Sequence, residues 1–135
     1  KISWRDLQTV VGALVAADPV LQRARERLGP RTPQRTRLDI GKRVEASIQA
    51  ARVQKGDEAV SALTASGATI DVSIGQVIGE LMVVNASFLV RRGSVGDFTS
   101  ALEQFDSASD DKYLIQIIGP LPPYSFVAFA GEART

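Results

Sequence analysis

Side-chain catalysis near neutral pH relies most often on histidine or cysteine, and this 135-residue chain contains neither. The commonest general base and metal ligand is missing, and thiol nucleophiles, disulfides and thiolate metal sites are excluded. Asp, Glu, Lys, Ser and Tyr remain. Asp110 and Asp111 are neighbours in a polar run, but adjacency gives no geometry for paired acid and base work. The expectation is a chain that is not an enzyme and that uses no cofactor and no metal.

Binding chemistry is better represented. Between Arg23 and Lys55 lie Arg25, Arg27, Arg31, Arg35, Arg37, Lys42, Arg43 and Arg52, set against Glu26, Asp39 and Glu45. Such a stretch could touch phosphates. A solvated helix face plus a linker has the same composition, and no aromatic residues are interleaved for base stacking, so nucleic acid is not the expected partner. Facing the acidic Glu103, Asp106, Asp110 and Asp111, the basic stretch could support head-to-tail contacts between copies or with other proteins. Gly93 and Gly96 match the GxxG pattern of some RNA binders, where it joins two helices; here it follows a strand and opens a helix. Asn85-Ala86-Ser87 fits a glycosylation acceptor, but it falls mid-strand with no export signal ahead of it.

The segment Ile118–Val127, IGPLPPYSFV, carries the strongest local signal. Proline fixes its own φ and pushes the preceding residue out of the helical region, so GPLPP predicts an extended, polyproline-like path. Pro120, Leu121, Pro122, Pro123, Tyr124 and Phe126 would then form a pre-ordered apolar surface for a partner, with Tyr124 and Phe126 as anchors. The alternative is that the prolines end the sheet and that Leu121, Tyr124 and Phe126 fold back onto the core.

The elements that must hold this segment are readable from periodicity. Ser3 suits the cap of a helix from Trp4 to about Ala17, and Asp18-Pro19 opens a second helix that ends near Leu28. GPRTPQRTR reads as an exposed linker. A long helix from about Leu38 to Thr64 follows, with Asp39 and Arg43 at pairing distance and Gly56 as a point of bending or breaking. TIDVSI is a half-buried strand with Ile70, Val72 and Ile74 inward. In GELMVVNASFLVRR, a second strand, Met82, Val84, Ala86, Phe88 and Val90 share one face. A helix capped by Ser94 and Asp97 and a third, largely buried strand, KYLIQIIG, complete the set.

This order describes an α+β fold, an antiparallel sheet with helices packed on one face. It is ferredoxin-like, related to βαββαβ, and lacks or borrows its first strand, since residues near Ile2 read as helical. Residues 1–36 form N-terminal helices and linker, and residues 37–135 the α+β domain. With no apolar run near the roughly 20 residues of a membrane span and no leader, a soluble, cytosolic protein is expected. The first residue, Lys1, suggests a chain that begins inside a longer reading frame.

GPLPPYSFV resembles the C-terminal signature of the gas vesicle protein L/F family, with Leu121 where the family usually has tryptophan. ELMVVNASFLVRR is similar to its second-strand motif through Asn85, Ala86, Phe88, Leu89 and Val90, and LDIGKRVEASI and the intervening helix also match, covering about residues 37–127 in the family's order. The resemblance implies a C-terminal portion of such a protein, structural roles for Asn85, Phe88 and Gly119, and a non-catalytic accessory function in forming gas vesicles. Its implied partners are the small hydrophobic shell protein and other accessory proteins, and its implied location is the gas vesicle or the cytoplasm. A stand-alone ferredoxin-like module for RNA or a regulatory ligand is the alternative from a different class.

Overall fold

The structure, a computed structural model, describes residues 1–121 and Phe126. The elements run β1 (Ile2–Trp4), α1 (Leu7–Ala17), α2 (Pro19–Arg27), α3 (Gln34–Thr64), β2 (Thr69–Ile74), β3 (Met82–Val84), β4 (Ala86–Val90), a 3-10 turn (Arg92–Ser94), α4 (Val95–Ala108) and β5 (Tyr113–Ile115). They divide into a helical unit, Asp6–Lys55, and a mixed unit made of Lys1–Arg5 and the chain from Gly56 onward. The α3 helix contributes to both, and residue 36 falls inside it.

In the helical unit the caps are aspartates. Asp6, not Ser3, starts α1: its carboxylate accepts from Gln8 N–H at 3.0 Å and from the Thr9 hydroxyl at 2.6 Å. Asp18 caps α2 by accepting from Val20 N–H at 3.0 Å, with Pro19 at the first helical position as expected. Arg43 does not pair with Asp39 one turn away. Its guanidinium forks onto both oxygens of Asp18, at 2.9 and 3.1 Å, tying α3 to the start of α2. Residues 34–37, expected in the linker, form the first turn of α3; Arg37 steadies that turn by donating to the Gly29 carbonyl at 2.7 Å.

The mixed unit overturns one expectation outright. Its first strand is neither missing nor borrowed, because Ile2–Trp4 is β1. Ile2 and Trp4 are buried and Ser3 lies between them, an alternation too short to stand out beside the helical pattern that follows. β1 pairs antiparallel with both β3 and β5, in the order β3-β1-β5, while β2 pairs antiparallel with β4. Only Asn85 separates β3 from β4, so the predicted second strand serves both ladders in turn.

The helices cover one face. Phe105 of α4 stacks on Tyr113 of β5 with ring centroids 5.6 Å apart, and Phe98 meets Phe88 of β4 at 5.1 Å. The α3 helix continues unbroken through Gly56, whose missing side chain lets it approach β3: a Cβ there would lie 3.1 Å from the Val83 carbonyl oxygen and 3.7 Å from Val84. Ile2, Trp4, Ala59, Leu63, Ala68, Val83, Val84, Leu102 and Tyr113 are buried in this unit. Ser94 sits at the N-cap of α4 with φ −110° and ψ 5°, outside the extended region from which a cap side chain reaches back to the helix, and its side chain makes no capping bond.

Two bulges change which side chains face the helices. On β3, Ile2 opposes Val84 but Ser3 opposes Met82, so Val83 is the extra residue. The shift turns Met82 away from the face it was predicted to share with Val84. On β2, Thr69 opposes Val90 and Asp71 opposes Leu89, which leaves Ile70 as the extra residue and exposed.

Leu63→Ala is expected to lower stability by about 2–5 kcal/mol in urea unfolding; a loss below about 1 kcal/mol would contradict its place in the core. Asp18 titrates below the usual carboxylate range, chiefly because Arg43 hydrogen-bonds its charged form. Its depressed folded pKa means that this contribution is present above the unfolded value of about 3.9 and is lost as pH falls through the lower folded value. A carboxyl NMR titration of Asp18 should show that lowered midpoint, and Arg43→Ala should raise it; an ordinary midpoint in the unaltered chain contradicts the pairing.

Candidate protein-binding surface

Alternation within a strand decides what the sheet shows on the side away from the helices. Tyr113 turns inward to Phe105, so Leu114 turns outward, and Ser3 and Met82, its neighbours across the ladder, share that outer face. Ile78 N–H lies 3.4 Å from the Met82 sulfur, which extends the row. Leu114 is 55% exposed, and the apolar character continues past the strand with Ile117 at 63%, Ile118 at 60% and Leu121 at 67%. The strand predicted to be largely buried is therefore buried on one side only.

The residues singled out in the sequence fall into three groups. Pro122, Pro123 and Tyr124 lie outside the described residues. Pro120 and Leu121 are exposed and Phe126 is half-buried. The path is not continuously extended, since Gly119 has φ +130° and Pro120 lies at a bend, joined to it by a cis peptide bond. A Cβ on Gly119 would sit 3.1 Å from the Leu121 backbone nitrogen, at a φ that side chains rarely adopt, so glycine is required there. Phe88 packs on Phe98.

Asn85 organises the loop before β3. Its side-chain amide donates to the Gln76 carbonyl at 2.8 Å and its own carbonyl accepts from Gly75 N–H at 2.7 Å. Gly75 leaves room for this: a Cβ would lie 2.9 Å from the Asn85 amide nitrogen. The loop so held carries Ile78.

The other charged and glycine signals lead elsewhere. Arg43 is held by Asp18, while Arg23 donates to the Pro19 carbonyl at 3.3 Å and Arg37 to Gly29. Asp110 and Asp111 take left-handed backbone angles in the turn after α4, and Asp111 meets Arg5 at 3.2 Å on an exposed surface. Gly93 and Gly96 lie in the 3-10 turn and the start of α4. In the helical unit, α1 has no buried residue, and a groove of about 440 Å³ runs along Leu7, Val11, Gly12, Val15 and Arg25. Among the described residues, no cluster of three or more potential metal ligands occurs, and no helix is long and apolar enough to cross a membrane.

The sequence does not mark Leu114, Ile117 and Ile118 as surface residues, because an apolar run reads alike whether one face or both are covered. The prolines that follow were the available signal that the run lies at a rim.

The family model described as gas vesicle synthesis protein GvpL/GvpF matches residues 1–128, and the chain belongs to this family. It is 35% identical over 91 residues to gas vesicle protein F of a Streptomyces species, covering 67% of this chain and 37% of that protein. Against gas vesicle protein F of Haloferax mediterranei it is 29% identical over 95 residues, covering 66% of this chain and 45% of the relative. The chain thus spans less than half the length of either. Its fold resembles crystal structures of GvpF from an Anabaena species, with TM-score 0.77, 20% identity and coverage of 96% of this chain and 52% of that one. The corresponding GvpF structure from Microcystis aeruginosa gives TM-score 0.66 at 21% identity, covering 93% and 51%.

Asn85→Ala should cost about 0.5–1.5 kcal/mol through the lost bond to Gln76 and should speed amide exchange between residues 75 and 81; unchanged exchange would show that another contact holds the loop.

Proposed function

We propose that the protein is an accessory factor in gas vesicle formation that acts by binding, without catalysis or cofactor, to the small hydrophobic shell protein and to other accessory proteins. The observation that carries this reading is the exposure of Leu114, Ile117, Ile118 and Leu121 within eight residues of chain in a member of this family. Exposed apolar patches of this kind mark interaction sites, because an isolated protein gains nothing by leaving them in water. Unassembled shell subunits pose the matching problem: their own apolar surfaces aggregate unless something covers or organises them.

In this reading Leu121 supplies an apolar contact where the family usually has tryptophan, and Pro120, Pro122 and Pro123 limit the freedom lost on docking. Tyr124 and Phe126 act as anchors, and Asn85, Phe88 and Gly119 hold the scaffold. The protein works in the cytoplasm or at the gas vesicle.

The test is retention of purified shell protein by the immobilised chain. Binding is expected for the unaltered protein. Replacing Tyr124 and Phe126 together by alanine, or Ile117 and Leu121 together by serine, should reduce it at least tenfold while leaving the far-ultraviolet circular dichroism unchanged. Undiminished retention in both double variants would remove the segment from the interface.

A further inference from the structure

The backbone of β5 carries information that its side chains do not. The order β3-β1-β5 leaves β5 at the rim of its ladder. Arg5 N–H donates to the Lys112 carbonyl at 3.0 Å, and Gln116 N–H to the Lys1 carbonyl at 2.8 Å, so residues 112 and 116 turn their backbone groups toward β1. Alternate residues of an antiparallel ladder face the same neighbour, so Leu114, opposite Ser3, also turns toward β1, and the N–H and C=O of Ile115 and Ile117 are directed to the open side. Among the described residues no further strand lies on that side, and neither residue makes a loop or turn backbone hydrogen bond.

Strand rims are usually blunted by charge, bulges or proline, since an open rim invites another chain. The rim at β2 has such protection, with a bulge at Ile70 and a charge at Asp71. The one at β5 has none: from Tyr113 to Gly119 no residue is charged and no proline occurs before Pro120. The unprotected backbone lies beside the exposed side chains of Leu114 and Ile117.

We propose that the open edge of β5 at Ile115–Ile117 receives an extended apolar segment of the shell polypeptide, which adds to the sheet as a further strand. This rests on the shell-binding reading above and specifies its mode: backbone bonds fix the register, and Leu114 and Ile117 contact the guest's apolar side chains. Charge argues against a second copy as the guest. The mixed unit holds ten acidic and six basic residues in its sequence, so two copies meeting edge to edge bring like charge together, which an uncharged guest does not.

Amide hydrogen exchange on the full chain, with and without purified shell protein, tests this. The Ile115 and Ile117 amides should slow at least tenfold on binding, while those of Leu114 and Gln116, already turned toward β1, should change little. Retention of shell protein without slowing at 115 and 117 overturns edge docking alone; no retention overturns the shell-binding reading as well. Slowing that follows the chain's own concentration without shell protein assigns the edge to a second copy and overturns the proposed guest. As a second arm, Ile117→Pro removes an edge donor that β1 does not use and should weaken retention about tenfold, beyond the loss from Ile117→Ala. Equal losses in the two variants, with the fold intact, also overturn the edge.

Discussion

Three residues hold the sheet together. Ile2, Ser3 and Trp4 form the strand between β3 and β5, and without it neither neighbour has a ladder partner in that sheet. Burial of Ile2 and Trp4 supplies the driving force, since large apolar side chains gain about 1.5–3 kcal/mol each when taken from water. The same pairing sets the phase of β5. It sends Tyr113 inward to stack on Phe105 and Leu114 outward, and it fixes which backbone groups of Ile115 and Ile117 remain at the rim.

The bulges refine what that pairing begins. Val83 breaks the alternation on β3 just where Gly56 allows α3 to approach, and the break moves Met82 to the open face beside Leu114's row. Ile70 breaks it on β2 and roughens that rim. One side of the mixed unit is thereby closed by aromatic contacts to α4 and by the end of α3. The other keeps an apolar strip that runs into the proline segment.

Much of this was legible in the sequence. Helical spacing located α2, α3 and α4, the change to a period of two located β2 and the paired β3 and β4, and the Asp18-Pro19 junction placed the start of α2. The family, too, is legible in GPLPPYSFV and ELMVVNASFLVRR. The misses share a physical cause: they depend on partners distant in sequence. β1 is too short to show a period, and its strand character comes from β3 and β5 more than 75 residues away. Arg43 forks onto both oxygens of Asp18, 25 residues away in sequence, a partner that helical spacing does not point to. Bulges leave no mark in a hydrophobic pattern, so Met82 and Ile70 were assigned to the wrong face. Leu114, Ile117 and Ile118 were read as interior because burial on one side and on two produce the same run of letters.

On the proposed reading the outer side of β5, rather than the polar exterior of α4, meets the vesicle shell. Site-specific photo-crosslinking during vesicle formation tests it directly, with the reactive group placed at Leu114 or, as the comparison, at Ser100 on the exposed surface of α4. Adducts with shell polypeptide from position 114 and not from position 100 are predicted. Adducts from 100 alone, or equal yields from both, would contradict the account.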